Sequence, residues 1–151
     1  MFTSIAHIGF TVRDLDRSVA FYRDVLGLSY LGEMVMEGPE TAALFQRPDC
    51  CARVAYLRPT EPSAPPVELI EFLGQDVRKS VPSLFKTSIS ELCFSTDDID
   101  REYKRLVDAG VRFLSEPQTF DSTAYGFGKS RAVYFFDPDD NILELIQPIN
   151  E

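Results

Sequence analysis

Four side chains in this sequence have the donor atoms of a metal-binding site. His7 and Glu68 lie in the first half of the chain, and Glu91 and Glu144 lie in the second half. One imidazole and three carboxylates suit borderline or hard divalent ions such as Mn²⁺, Fe²⁺, Co²⁺, Ni²⁺ or Zn²⁺. Taken singly, each glutamate is expected to face water and the histidine to be structural. The metal prediction therefore depends on how the four residues are arranged.

An internal repeat relates the four residues in pairs. When HIGFTVRDLD is placed over ELCFSTDDID, His7 aligns with Glu91. At the far end of each half, VELIEF placed over LELIQP aligns Glu68 with Glu144. The two matches occur in the same order along the chain, so chance is a poor explanation and a duplicated unit is indicated.

Each half predicts the same series of elements, namely a strand, a helix and three strands. Predicted helices cover residues 16–26 and 98–109, each with an apolar stripe and a following glycine. The predicted strands are 5–12, 29–36, 52–57 and 67–73 in the first half, and 90–96, 111–114, 131–136 and 141–148 in the second half. The stretch 116–129 is polar and is expected to add part of another strand.

Strand alternation places the four candidate ligands on one kind of face. Large apolar residues alternate with His7 and Glu91 in the first strand of each half, and leucines alternate with Glu68 and Glu144 in the last. The apolar faces should pack under the helices, which leaves the four polar side chains on the opposite faces. A carboxylate buried in a curled sheet is costly unless it is paired or bound to metal. Together the four residues predict one divalent metal ion.

The length and composition fit one α+β domain over residues 1–151. We expect module one at about 4–74, a linker at about 75–88 and module two at about 89–148. The formal net charge of −9 argues against nucleic acid or an anionic membrane as a partner. No apolar run approaches the roughly 20 residues of a membrane span, and the N-terminus does not resemble a signal peptide. Three cysteines, an odd number, favour a cytoplasmic protein without a disulfide framework.

Two segments resemble a known family. AHIGFTVRDLDRSVAFYRDVLGL resembles the opening module of the vicinal oxygen chelate superfamily, which includes glyoxalases, epimerases, dioxygenases and antibiotic-resistance proteins, and YFFDPDDNILELIQP resembles the closing strands of its second module. The resemblance implies two βαβββ modules that form a cup-shaped mixed sheet with the helices outside. It also implies metal ligands at His7, Glu68, Glu91 and Glu144. Glu91 departs from the usual histidine of the family, and Asp140 departs from the usual glycine.

The resemblance narrows the expected reaction. His7 is the only histidine, whereas the oxygenase-like and fosfomycin-modifying members use two. Glyoxalase- and epimerase-like members fit better, which implies a metal-dependent lyase or isomerase that abstracts a proton next to a metal-bound carbonyl of a small substrate. We expect Glu68 and Glu144 to act as base and acid, with the assignment between them open. A homodimer is also implied.

Three further residues are predicted to bind the substrate. Tyr125 and Phe127 lie in a glycine-containing loop that would cover the mouth of the cup, although a flexible turn is the alternative. Arg131 follows that loop and could meet a carboxylate or phosphate, or form a surface salt bridge instead.

A non-catalytic function is the alternative to the enzyme. Bleomycin-resistance-like members of the family sequester a drug in the same cup without metal. The aromatic residues that could line such a cup are Tyr56, Phe72, Tyr125, Phe127 and Tyr134. Retention of four potential ligands favours the enzyme, and Glu91 in place of histidine favours the binding protein.

Overall fold

The structure is a computed structural model that describes residues 1–81 and 83–149. Pro82 of the predicted linker, together with Asn150 and Glu151 of the predicted domain, lies outside the described residues. The chain divides into two compact units, Met1–Lys79 and Ser80–Glu151.

The first unit contains a mixed four-stranded sheet in the order β1-β4-β3-β2. β1 runs parallel to β4, and the other neighbours are antiparallel. Its elements are β1 (Ile8–Thr11), α1 (Leu15–Ala20), β2 (Ser29–Met36), α2 (Pro39–Leu44), β3 (Ala52–Arg58) and β4 (Val67–Phe72). The short helix α2 lies in the connection between β2 and β3.

The helix that follows β1 begins at an aspartate cap. The side chain of Asp14 accepts a hydrogen bond from the backbone N–H of Arg17 at 2.9 Å, which satisfies one of the free donors at the helix start. α1 continues into a wider π-helical segment, Phe21–Val25. Leu15 and Tyr22 are fully buried, so the predicted apolar stripe does face the core.

The second unit repeats this topology in a sheet of order β5-β8-β7-β6. β5 is parallel to β8, and the remaining pairs are antiparallel. Its elements are β5 (Leu92–Ser95), α3 (Ile99–Asp108), β6 (Gln118–Ser122), β7 (Gly128–Phe136) and β8 (Ile142–Ile149). The α+β fold with two βαβββ modules is therefore confirmed.

One predicted strand, residues 111–114, is wrong. In that stretch only Phe113 pairs, through an isolated bridge to Phe135. The regular outer strand is β6, which pairs with the first half of β7. The apolar residue that suggested a strand in this segment is Phe113. Its ring packs against those of Tyr103 and Phe135, with centroids 4.7 and 5.5 Å away.

The turn between β7 and β8 explains the aspartate at position 140. Asp140 has φ of 63°, in the left-handed region that aspartate tolerates better than most residues. Asp137 organises the turn, because its Oδ1 accepts hydrogen bonds from the N–H groups of Asp139 and Asn141 at 2.9 and 2.8 Å. β8 therefore starts at a defined residue, and this fixes the position of Glu144. Among the described residues, no helix is long and apolar enough to cross a membrane.

Candidate functional site

The first unit carries a cluster that we call the first half-site: His7, Gly9, Tyr56 and Glu68. In the sheet, Gly9 of β1 and Tyr56 of β3 stand on either side of Glu68 in β4. His7 Nε2 lies 3.6 Å from Glu68 Oε2. The Glu68 side chain is 12% exposed and that of His7 is 45% exposed, so the carboxylate is held inside and the imidazole lies toward solvent.

Glu68 is fixed in place by its two neighbours. The Tyr56 hydroxyl donates a hydrogen bond to Glu68 Oε2, the oxygen that faces His7. A Cβ atom added to Gly9 would lie 3.4 Å from Glu68 Oε1, at the near limit of ordinary van der Waals contact, so glycine leaves additional room for the carboxylate. The hydrogen bond to Glu68, burial and the glutamate charge together raise the pKa of Tyr56 to about 12. Tyr56 is therefore a proton-bearing donor at neutral pH.

The second unit carries the second half-site: Glu91, Cys93, Tyr134 and Glu144. Cys93 of β5 and Tyr134 of β7 stand on either side of Glu144 in β8, as Gly9 and Tyr56 do around Glu68. Desolvation by the surrounding protein, followed by the charge of Glu144, a hydrogen bond to it and the charge of Glu91, raises the pKa of the Cys93 thiol to about 12. Burial and the same carboxylates raise the pKa of Tyr134. The second half-site is thus a concentrated patch of negative charge.

The structure brings the predicted ligands together as pairs within their own units. His7 lies beside Glu68, and Glu91 and Glu144 share the surroundings of Cys93. Within residues 1–81 and 83–149, no three or more His, Cys, Asp or Glu side chains form a group that could hold a metal ion.

A protein-family model matches most of this chain, including both modules. The model of the Glyoxalase/Bleomycin resistance protein/Dioxygenase superfamily matches residues 4–145. The chain belongs to this superfamily. The match includes all four predicted ligands, from His7 in the first module to Glu144 in the second.

Two curated relatives and one solved structure are similar to this superfamily member. A 2-epi-5-epi-valiolone epimerase from Actinomyces sp is 31% identical over 95% of this chain and 78% of its own. The metallothiol transferase FosB from Lysinibacillus sphaericus is 27% identical over 94% of this chain and 80% of its own. A glyoxalase family protein from Bacillus cereus shares the fold with a TM-score of 0.83 at 19% identity, over 99% of this chain and 97% of that one. Both curated relatives are enzymes.

Arg131 does not lie with the second half-site. It is on the opposite face of β7 from Tyr134 and pairs with Asp100 in the first turn of α3, with Nη2 2.9 Å from Oδ1. The pairing is repeated in the first unit, where Arg53 contacts Asp16 at 2.8 Å. Arg131 therefore ties the helix to the sheet, and its position does not support the predicted contact with substrate.

Tyr125 and Phe127 lie in the turn between β6 and β7, as expected. Tyr125 ends a short 3₁₀ segment and Gly126 follows with φ of 81°, a left-handed conformation that favours glycine. The two aromatic residues are 80% and 85% exposed. They are available to a ligand, whereas Tyr56 and Tyr134 are committed to the half-sites.

Sequence reasoning missed the partners of the two strand glutamates. It identifies Tyr56 and Tyr134 only as aromatic residues that could line the cup, and it assigns no role to Cys93. The repeat contains a usable signal, because aligning Glu68 with Glu144 also aligns the two tyrosines once the antiparallel register is known. Strand parity likewise places Arg131 on the face of Val133, which is buried in the core.

Proposed function

We propose that this protein is a divalent-metal-dependent isomerase, epimerase or lyase that moves a proton at a carbon next to a carbonyl of a small substrate. The observation that carries the proposal is the equivalent placement of Glu68 and Glu144. Each glutamate lies between a tyrosine and a small residue, on the face of its sheet away from the buried leucines. The epimerase among the relatives supports the same class of reaction.

We assign the metal ligands to His7, Glu68, Glu91 and Glu144. The donor set fits a divalent ion such as Ni, Co, Mn, Fe or Zn, since imidazole and carboxylate both bind this group of metals. Glu68 is preorganised as a ligand, because a hydrogen bond from the Tyr56 hydroxyl orients its carboxylate next to His7. Such an ion would polarise a substrate carbonyl as a Lewis acid. The assignment requires modules 4–74 and 89–148 to act as one domain, and we expect a homodimer.

The proton is handled by Glu68 and Glu144. A carboxylate that exchanges a proton with carbon must lie within hydrogen-bond reach of that carbon's proton, and both glutamates are on the faces that carry the ligand candidates. Glu144 is the better base, because its hydrogen-bonding neighbour is the weakly donating thiol of Cys93, whereas the stronger donor Tyr56 occupies Glu68 Oε2. We therefore assign proton removal to Glu144 and proton return to Glu68.

Exchange of carbon-bound hydrogen in D₂O tests this function across a panel of candidate substrates. 2-Hydroxy ketones, 2-oxo compounds and thioesters are each incubated with the protein and a divalent ion, and loss of the proton signal next to the carbonyl is followed by NMR. For any compound that exchanges, Glu144→Gln should slow exchange by about 100-fold or more, in line with general acid–base catalysis. Glu61→Gln, in an exposed loop, is the matched control and should leave the rate unchanged.

A non-catalytic binding protein is the second candidate. The exposed side chains of Tyr125 and Phe127 favour it, because paired exposed aromatics provide a surface for a flat ligand. Compounds that bind tightly but show no exchange with any divalent ion would support this candidate and contradict the enzyme.

A further inference from the structure

A separate pocket lies in the first unit, at the end of β4. It has a volume of about 510 Å³, within the range of small-molecule sites. Its apolar lining consists of Phe45, Cys50, Phe72 and Val77. The Phe45 and Phe72 rings meet edge to face with centroids 5.0 Å apart, and Cys50 is only 3% exposed. We call it the Arg47–Arg78 pocket after the two arginines at its rim.

The rim of this pocket is positive in an acidic protein. Arg47 and Arg78 contribute two guanidinium groups and Asp76 contributes one carboxylate, whereas the chain as a whole carries −9. Arg47 Nη1 donates to the neutral amide oxygen of Gln75 at 2.6 Å, a bond that orients the guanidinium without neutralising it. Among the described residues Arg78 forms no ion pair. The rim therefore retains a net positive charge that an anion can use.

The pocket is distinct from the first half-site. Phe72 and Glu68 share a face of β4 but are four residues apart, roughly 13 Å at the usual rise of a strand. Arg47 and the residues that follow β4 are not part of either half-site. None of the four residues of the first half-site lines the pocket.

We infer that the Arg47–Arg78 pocket binds a small molecule that combines a flat apolar group with one anionic group, such as a carboxylate, sulfonate or phosphate. The ring system packs on Phe45 and Phe72, where burial of apolar area favours binding. The anion accepts hydrogen bonds from Arg47 and Arg78, and guanidinium groups are well suited to oxyanions.

Calorimetric titration with three matched probes tests this inference on the full chain. Naphthalene-2-sulfonate carries both features, naphthalene-2-sulfonamide keeps the ring without the charge, and inorganic sulfate keeps the charge without the ring. The sulfonate should bind at one site per chain and about tenfold more tightly than the sulfonamide, as one charge-assisted hydrogen bond implies. Sulfate alone should show no saturable binding. Chelation of divalent ions should not alter sulfonate binding.

Two variants distinguish the pocket from non-specific adsorption. Arg78→Gln should weaken the sulfonate about tenfold and leave the sulfonamide unchanged, since only the charged contact is lost. Arg101→Gln, an exposed arginine in the second unit, is the matched control and should change neither affinity. Equal affinity for sulfonate and sulfonamide, an unchanged sulfonate affinity in Arg78→Gln, or no binding by any probe would overturn the inference. None of these outcomes bears on the proton exchange proposed for Glu144.

Discussion

The two half-sites occupy equivalent backbone positions but differ in the number of carboxylates, one in the first and two in the second. In the first, an imidazole and a tyrosine hydroxyl lie beside one glutamate, and a glycine leaves room for it. In the second, Glu144 and Glu91 lie in the surroundings of Cys93, and desolvation followed by their negative charges raises the pKa of the thiol. In the first half-site the Tyr56 hydroxyl donates a hydrogen bond to the single glutamate, whereas the second half-site has two glutamates whose negative charge a cation would stabilise.

The opposite faces of the same sheets are alike. Glu71 accepts a hydrogen bond from the N–H of Leu15 at 3.2 Å, and its counterpart Gln147 accepts one from the N–H of Ile99 at 3.0 Å. The arginine–aspartate pairs at the helix starts are repeated as well. The duplicated module thus keeps the contacts that hold helix to sheet and differs on the face that carries the candidate ligands. The residues that hold helix to sheet and the candidate ligands therefore lie on opposite faces of each sheet.

The largest effect is expected from the core, where the modules should respond alike. Leu69 and Leu145 are equivalent, 0% and 6% exposed, and each packs on the helix side of its sheet. Truncation of either residue to alanine should lower the free energy of unfolding by about 2–5 kcal/mol through lost burial and a cavity. Urea unfolding followed by circular dichroism measures both losses. A tolerated substitution in one module and a large loss in the other would show that the helix faces are not equivalent.

A smaller and unequal effect is expected at the tyrosines. Tyr56→Phe removes a donor from the part-buried Glu68 and should cost about 1–3 kcal/mol, the usual penalty for an unsatisfied buried group. Tyr134→Phe should cost less than about 1 kcal/mol, because among the described residues its hydroxyl makes no hydrogen bond to Glu144. The same urea measurement compares them, with metal removed from both samples. Equal losses would contradict the asymmetry between the half-sites.

The smallest effect is expected from the two arginine–aspartate pairs at the helix starts, Arg53–Asp16 and Arg131–Asp100. The pKa of the aspartate should be lowered in both modules. The guanidinium groups of Arg53 and Arg131 hold the pKa of Asp16 and of Asp100 below the usual value. Because the carboxyl pKa is lower in the folded state, each pair stabilises the fold above the ordinary carboxyl pKa and loses that contribution as pH falls through the lowered value. NMR titration of the carboxyl carbons should give depressed values for both. A normal value in only one module would break the equivalence.

Strand parity predicts much of the site from the sequence, because a two-residue period fixes the face of each side chain whatever the order of the strands. Glu68 and Glu144 are placed opposite the core on this basis, and their positions agree with it. The tyrosine neighbours of these glutamates cannot be predicted from the sequence, because they depend on which residue of the adjacent strand pairs with each glutamate. The strand predicted at 111–114 is wrong because the alternating pattern around Phe113 is typical of a strand. In the structure this stretch pairs with β7 only through the isolated bridge between Phe113 and Phe135.

The divalent-metal content of the protein shows whether the two half-sites hold one ion. Purified without chelators or a histidine tag, the protein is analysed by inductively coupled plasma mass spectrometry, with folding checked by circular dichroism. If both half-sites supply ligands to one ion, we expect about one divalent ion per chain. Folded His7→Ala and Glu144→Ala, one from each half-site, should both lose it, and Glu61→Ala should retain it. A folded protein that binds no divalent ion, or that keeps its ion when either half-site is changed, would contradict the account.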